Sequence, residues 1–167
     1  MRVRDAQPAD RASIETVTLA AYQQYAAVMP ALWDAYRHNI VTTLADVGQA
    51  TQLVAEDAGA LVGTVLLYPP GRGMYGDAPG APAGSSSPEV RLLAVAPAAR
   101  GRGVGAALMR ECMARARQAG APALTLHTTD MMASAMRMYE GMGFLRAPEL
   151  DFHPTPTFTV KGYRLLL

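Results

Sequence analysis

The sequence contains little cysteine and no long hydrophobic run, and both absences narrow the class of protein. Cys112 is the single cysteine among 167 residues, so no internal disulfide can form, in agreement with a reducing cytoplasm. No uninterrupted apolar stretch approaches the roughly 20 residues that a membrane-spanning helix needs. The opening residues, MRVRDAQPAD, lack the apolar segment that directs export. We therefore expect a cytoplasmic protein that does not associate with membranes.

The sequence also lacks an excess of charge of either sign. Its formal net charge is +1, which gives no overall positive field for nucleic acid, and we expect no nucleic-acid partner. Half of the residues are apolar and 17% are charged, a composition that is typical of globular proteins and argues against global disorder. This length fits one domain with one core, so we predict a single domain over residues 1–167.

The first part of the chain is predicted to be two helices followed by a hairpin. Residues 2–5 resemble a short strand, and Asp10 is a candidate cap for a helix with apolar residues at helical spacing. Pro30 suits the first turn of a second helix. A hairpin is predicted from strands at 51–55 and 60–68, because both are rich in β-forming residues and a turn sequence separates them.

Residues 69–88 differ from the rest of the chain in amino-acid composition. They are dense in proline, glycine and serine, and such a composition cannot pack a core. We predict a flexible loop or lid within one domain, because residues 1–68 alone would leave their sheet incomplete.

The second part of the chain alternates strands and helices. The predicted elements are a strand at 89–95, a helix from the turn at 100–105 to Gln118 with Gly120 ending it, a strand at 123–129, a helix at 131–142 and a strand at 157–167. This order predicts an α/β fold with a mixed sheet, in which parallel pairing surrounds the two later helices.

A glycine-rich turn joins a predicted strand to a predicted helix. Gly101, Gly103 and Gly105 let the backbone approach an anion closely, and the helix N-terminus that follows favours negative charge. Arg100 and Arg102 add full positive charge. The alternative is a plain strand-to-helix turn whose glycines serve packing, but three glycines within five residues favour a phosphate site.

Two nucleotide-binding motifs are alternatives for this turn. No Lys-Ser/Thr pair follows the glycines, which argues against a nucleoside triphosphate. A dinucleotide remains a rival, because Gly101, Gly103 and Ala106 match G-x-G-x-x-A and Asp130 follows the next strand. That fingerprint begins as its strand ends, however, whereas five residues separate Val95 from Gly101 here.

The same segment resembles a known family. The run PEVRLLAVAPAARGRGVGAALMREC is similar to the coenzyme A-binding core of the GNAT superfamily of N-acetyltransferases, whose signature Arg/Gln-x-x-Gly-x-Gly/Ala stands at residues 100–105. The run MRMYEGMGF resembles the second family landmark, through Ala135, Tyr139, Glu140 and the pair Gly143 and Phe144. The resemblance covers the chain except residues 69–88 and those after Phe144.

The resemblance implies a mixed sheet that splays open between the strands at 89–95 and 123–129, where acetyl-CoA would enter. Acetyl-CoA is the expected co-substrate, and no metal is expected. The pantetheine would hydrogen-bond the backbone of Leu93, Ala94 and Val95. The phosphates would bind the following turn, at Arg100, Gly101, Arg102, Gly103, Val104, Gly105 and Ala106.

The resemblance also implies roles for two side chains. Tyr139 corresponds to the general acid of the family, although it also belongs to an apolar helical stripe and a purely structural role is the alternative. Glu89 is at a position where some members carry a base that acts through water, and an exposed strand-end carboxylate is the alternative. His127 and His38 are further candidates for the base.

One position departs from the family pattern. Many members carry asparagine where this chain has Met132, and a thioether cannot replace the amide donors.

The expected activity is acetyl transfer to a primary amine of a small molecule or peptide, with an acyl-CoA-binding regulatory domain as the alternative. The acceptor identity stays open, and so does a homodimer. Candidate acceptor-site aromatics are Tyr22, Tyr25, Trp33, Tyr36 and Tyr75.

Overall fold

A computed structural model describes residues 1–72 and 84–167 of the chain. The helices and strands, in chain order, are β1 (Arg2–Asp5), α1 (Arg11–Tyr22), α2 (Trp33–Ala45), β2 (Thr51–Asp57), β3 (Ala60–Tyr68), β4 (Gly71–Arg72), β5 (Gly84–Ser85), β6 (Glu89–Val95), α3 (Val104–Gln118), β7 (Ala123–Thr128), α4 (Ala133–Gly141), β8 (Leu145–Arg146), β9 (Phe152–Thr155) and β10 (Phe158–Leu166). Together they form the expected α/β fold, with a mixed but mostly antiparallel sheet flanked by helices.

The described chain divides into two compact units. Residues 1–67 and 92–112 form the first unit, and residues 68–91 and 113–167 form the second. Each of β6 and α3 contributes residues to both. The organisation as one domain over residues 1–167 stays a prediction.

The first unit is built on an antiparallel sheet. β2 pairs with β1 on one side and with β3 on the other, and β6 is the next strand after β3. Ala58 and Gly59 join β2 to β3 with φ angles of +50° and +79°, as a two-residue hairpin turn requires. The core is apolar, and its fully buried side chains include Ile40, Leu53, Val54, Val65 and Leu108.

Two predicted helix starts differ from the structure. Asp10 precedes α1, but its carboxylate accepts from the Gln7 backbone N–H at 2.7 Å and pairs with Arg4, so it does not cap the helix. α2 begins at Trp33, three residues after Pro30, because residues 26–32 form successive turns instead. The end of α3 is as predicted: Gly120 has φ +72°, and the Ala121 N–H reaches the Ala116 carbonyl at 3.0 Å.

The second unit is built around β7. The start of β6 pairs with it in parallel, Glu89 opposite Thr125 and Val90 opposite Leu126. On its other side β10 runs antiparallel along its whole length. The predicted parallel pairing is therefore confirmed for the crossover through α3 and wrong for the one through α4. The physical reason is that β8 and β9, which no sequence pattern predicted, run in the same direction as β7, and β10 then returns antiparallel between β7 and β8.

The ends of the predicted 69–88 loop are ordered. β4 and β5 pair antiparallel, Gly71 with Ser85, and Ser87 is buried with 6% exposure. Residues 73–83, which form the centre of that predicted loop and include Tyr75, lie outside the described residues.

Close packing at Gly63 gives a test of the first unit's core. A Cβ atom there would lie 2.7 Å from Val104 Cγ1, 3.0 Å from Leu108 Cδ1 and 3.1 Å from the Ala94 carbonyl oxygen. We expect Gly63→Ala to lower the free energy of unfolding by about 1–3 kcal/mol through overpacking. Gly141→Ala is the control, because nothing lies within 4 Å of its Cβ position and alanine favours a helix. Urea denaturation of both variants measures the difference, and equal stabilities would contradict this packing.

Candidate active site

The glycine-rich turn begins directly after the short helical turn Pro97–Ala99. Gly101 and Gly103 have φ angles of +74° and +77°, a left-handed conformation that glycine adopts without strain. No atom lies within 4 Å of a Cβ built at either residue. The turn thus presents bare backbone to open space on that side.

Helix α3 starts immediately behind this turn. Its first backbone bond joins the Ala107 N–H to the Gly103 carbonyl oxygen at 3.0 Å. The N–H groups of Val104, Gly105 and Ala106 therefore belong to the first turn of the helix, where no earlier helical carbonyl is available to them. Such N–H groups, together with the helix dipole, form a site suited to phosphate oxygens.

The two arginines of the turn have partners within the first unit. Arg100 donates to the Ala21 carbonyl at 3.0 Å and to Gln24 Oε1 at 3.3 Å, both near the end of α1. Arg102 forms an ion pair with Asp57 and is 57% exposed. Arg100 therefore ties α1 to the turn through neutral oxygens and keeps its positive charge beside it.

Strand β6 contains one residue with a left-handed backbone, Leu92. This residue is buried and has φ +50°, a conformation that is rare for leucine. A left-handed residue within a strand disturbs the regular ladder in the way a β-bulge does, and bulges are common next to active sites. The Tyr22 hydroxyl of α1 donates to the Leu93 carbonyl over a long 3.4 Å, so the strand after Leu92 is linked to the end of α1.

Tyr22 begins a group of aromatic rings in the first unit. Its ring centroid lies 5.9 Å from those of both Tyr25 and Tyr36, and Trp33 follows 6.3 Å from Tyr36. Tyr22 is buried, whereas the other three rings are half-buried. Burial raises the pKa of Tyr25, and the positive charge of Arg100 partly opposes this.

Glu89 and His127 form a buried pair in the second unit. Nδ1 of His127 lies 2.6 Å from Oε1 of Glu89, and Nε2 lies 2.8 Å from the Leu150 carbonyl oxygen. The side chains of His127 and Glu89 are only 3% and 4% exposed. Glu89 is thus not the exposed strand-end carboxylate of the alternative interpretation.

The surroundings of His127 act on its pKa in opposite directions. Burial disfavours the charged ring, but the hydrogen bond and negative charge of Glu89 outweigh burial, with help from the Leu150 carbonyl and Asp151. The net effect is to raise the pKa of His127 above its ordinary value. Phe152 packs edge-on against the imidazole with ring centroids 5.4 Å apart.

Tyr139 lies on α4 and is buried with 6% exposure. Its ring packs edge-on against Phe144, with centroids 6.0 Å apart. The neighbouring residue Glu140 accepts a hydrogen bond from the Tyr163 hydroxyl at 3.0 Å, which fixes α4 to β10. The helix thereby holds the Tyr139 ring in a defined orientation.

Comparison with known proteins decides the family. The model of the acetyltransferase (GNAT) family matches residues 18–144, a range that includes the glycine-rich turn, Glu89 and Tyr139. This chain is a member of the GNAT acetyltransferase family. N-acetyltransferase 8B of Rattus norvegicus is 30% identical over 113 residues, which are 68% of this chain and 46% of that protein. The matched segment thus spans about half the length of this curated relative.

Solved GNAT structures share the fold of this chain. A GNAT family acetyltransferase from Brucella melitensis in complex with acetyl-CoA has a TM-score of 0.64 at 23% identity, covering 99% of this chain and 87% of that one. The putative acetyltransferase yncA from Salmonella typhimurium, with its cofactor acetyl-CoA, has a TM-score of 0.64 at 20% identity over 99% and 93% of the two chains.

The residues of this GNAT chain fit a phosphate-bearing ligand at the turn. Left-handed glycines with open space beside them and the N-terminal N–H groups of α3 are the donor set that a pyrophosphate needs. Among residues 1–72 and 84–167, no three His, Cys, Asp or Glu side chains are arranged to hold a metal ion. No helix in the part of the chain that the structure describes is long and apolar enough to cross a membrane.

Sequence reasoning named most of these residues but missed how they are connected. The hydrogen bonds from Arg100 to the end of α1 and from Tyr22 to Leu93 could not be predicted from a local sequence pattern. Each bond joins residues more than 70 positions apart. The sequence indicates His127 and Glu89 as separate candidates for the base, and the structure pairs them. His38 is exposed on α2 and its Nε2 lies 3.5 Å from Thr42 Oγ1.

Proposed function

We propose that this GNAT protein transfers the acetyl group of acetyl-CoA to a primary amine of a small molecule or peptide by direct attack. The observation that carries the proposal is the turn at residues 100–106, which has the backbone and helix geometry for the cofactor phosphates in a chain that belongs to this family. Two of the solved structures that share the fold hold acetyl-CoA, which supports the choice of co-substrate.

The proposed reaction assigns one task to each group of the chain. Acetyl-CoA supplies the acetyl group as a thioester. An alkyl ammonium with a pKa near ~10 is mostly protonated at neutral pH, so Glu89 takes a proton from it, through water. A backbone N–H near Val95 donates to the thioester oxygen as negative charge develops there. The Tyr139 hydroxyl gives its proton to the leaving thiolate and regains one from the acetylated nitrogen, which loses its second proton as the amide forms.

The acceptor amine is proposed to bind against the aromatic group of the first unit. Tyr25, Trp33 and Tyr36 are half-buried, so each residue keeps part of its surface accessible to a ligand. Aromatic rings arranged in this way bind flat or apolar groups, and they also attract cations. The positive charge of Arg100 beside Tyr25 favours an acceptor whose non-reacting part is aromatic or apolar.

Thiol release from acetyl-CoA across a library of primary amines tests the proposal. We expect the release to depend on protein, acetyl-CoA and one class of amine, and mass spectrometry should find the acetylated amine. If the protein binds acetyl-CoA in a calorimeter but no amine accelerates thiol release, the acyl-CoA-binding function that Met132 suggests replaces the enzyme. If acetyl-CoA does not bind, both functions fail.

A further inference from the structure

The hydrogen bonds of His127 restrict where its protons lie. A carbonyl oxygen only accepts, so the 2.8 Å contact with Leu150 requires a hydrogen on Nε2. A neutral imidazole has one N–H, and Nδ1 would then present a lone pair to the carboxylate of Glu89. Two lone pairs repel at the observed 2.6 Å, so one further proton lies between Nδ1 and Oε1.

This proton makes the buried pair electrically neutral as a whole. It belongs either to the imidazole, beside a carboxylate, or to a carboxylic acid, beside a neutral imidazole. Both forms avoid a net charge in a site where the two side chains are 3% and 4% exposed. A carboxyl group and a histidine that are coupled in this way titrate as one unit.

We propose that Glu89 and His127 act as one proton-binding pair, in which His127 is the positioning residue that lets the base work near neutral pH. The inference rests on the proposed function. The protonated pair cannot accept another proton without becoming a buried cation. Once the pair has released its proton to solvent, the carboxylate and the neutral imidazole together carry one negative charge.

The deprotonated pair then takes one proton from the acceptor ammonium. An N–H bond of the ammonium breaks, its electron pair stays on the nitrogen, and the proton becomes the one that Glu89 and His127 share. The charges balance, because a cation and an anionic pair become a neutral amine and a neutral pair. The free electron pair of the amine is what attacks the thioester.

Asp151 is a charged group of the second unit that acts on His127. Asp151 follows the short helical turn Pro148–Leu150 and acts on the imidazole through its charge. Its carboxylate is bound by Arg146 of β8 at 2.7 Å and by the Gly162 N–H of β10 at 2.8 Å. Arg146 keeps the pKa of Asp151 below its usual range, so Asp151 stays charged while the pair titrates.

The pH dependence of catalysis follows from the raised pKa of His127. His127 keeps its proton to a pH above the ordinary histidine value of about 6.5, so a proton can be accepted from the amine only above that range. We expect the acidic limb of kcat/KM to lie there. In His127→Asn, whose side-chain amide still donates to Glu89 but does not titrate, the limb should move down by at least about one pH unit.

The experiment combines this pH profile with NMR of protein carrying ¹⁵N-labelled histidine. The His127 signals are identified by their loss in His127→Asn, which leaves those of His38 and His153. We expect Nδ1 of His127 to titrate at the pH of the kcat/KM limb, and Glu89→Gln to abolish this shared transition. Thermal unfolding tests whether each variant is folded. If His127→Asn does not fold, the NMR titration of Glu89→Gln tests the pair instead.

Each outcome decides one part of the inference. A kcat/KM limb that stays in place in folded His127→Asn overturns the role of His127, because a purely structural residue would leave the profile unmoved. If the Nδ1 signal of His127 at pH 6 shows a nitrogen that shares no proton, the proton-holding pair is overturned. If no amine is acetylated at any pH, the proposed function fails, while the NMR titration still reports on the pair.

Discussion

Replacing Tyr139 with phenylalanine is expected to lower kcat by ~10²–10³ and to change acetyl-CoA affinity by no more than a few-fold. The substitution removes only the hydroxyl, so the thiolate loses its proton donor while the ring keeps its edge-on contact with Phe144. Phenylalanine fills the same buried site, so the variant should still fold. Rapid-quench kinetics at saturating substrate measures the effect on the chemical step.

Tyr163→Phe is the matched control for this substitution. Tyr163 is also a buried phenol of the second unit, and its hydroxyl binds Glu140 rather than any group proposed to react. We expect its loss to cost about 1 kcal/mol of stability and to leave kcat within a few-fold. If Tyr139→Phe and Tyr163→Phe have the same kcat in the chemical step, Tyr139 is a packing residue and another group protonates the thiolate.

Replacing Gly103 with alanine should weaken acetyl-CoA binding at least tenfold, or about 1.4 kcal/mol. At φ +77° the new methyl group points into the open space beside the turn, where the cofactor phosphate is proposed to approach. The left-handed conformation also costs alanine roughly 1–2 kcal/mol, so the variant is less stable whether or not it binds a ligand. Valine would add the strain of a β-branched side chain, which makes alanine the cleaner test.

Gly120→Ala is the control that separates weaker acetyl-CoA binding from the loss of stability caused by backbone strain. Gly120 has φ +72° and no atom within 4 Å of its Cβ position, so alanine meets the same conditions there as at Gly103. It ends α3, at the opposite end of the helix from the proposed phosphate site. Both variants should lose similar stability, and calorimetry should find weakened binding only in Gly103→Ala. Equal acetyl-CoA affinities of Gly103→Ala and Gly120→Ala would show that the phosphates do not bind at this turn.

Local sequence patterns predicted most elements of the fold. The hairpin of β2 and β3, the helix α3 and its end at Gly120 follow from residue spacing and turn chemistry, which act over a few residues. The strands β8 and β9 do not follow from such patterns, because β8 has two residues and β9 four. Such short strands exist through their pairing with β10, and a pattern within the strand cannot indicate a partner further along the chain.

The candidate site shows the same division between local and distant signals. The turn at Gly101 and Gly103 was predictable, because a phosphate site of this kind is contiguous in sequence. The bond between Glu89 and His127 joins residues 38 positions apart. It depends on the register that sets Glu89 opposite Thr125, with His127 two residues further on the same face of β7. A single sequence does not indicate that register.

The most direct test of the central claim is a single turnover with acetyl-CoA labelled with ¹⁴C in its acetyl group and the best amine from the library screen. Rapid quenching and separation then follow the label over time. We expect the label to move from acetyl-CoA to the amine nitrogen in one step, with one free thiol released for each acetylated amine. Label that first becomes bound to the protein, or that leaves as free acetate, would contradict direct transfer.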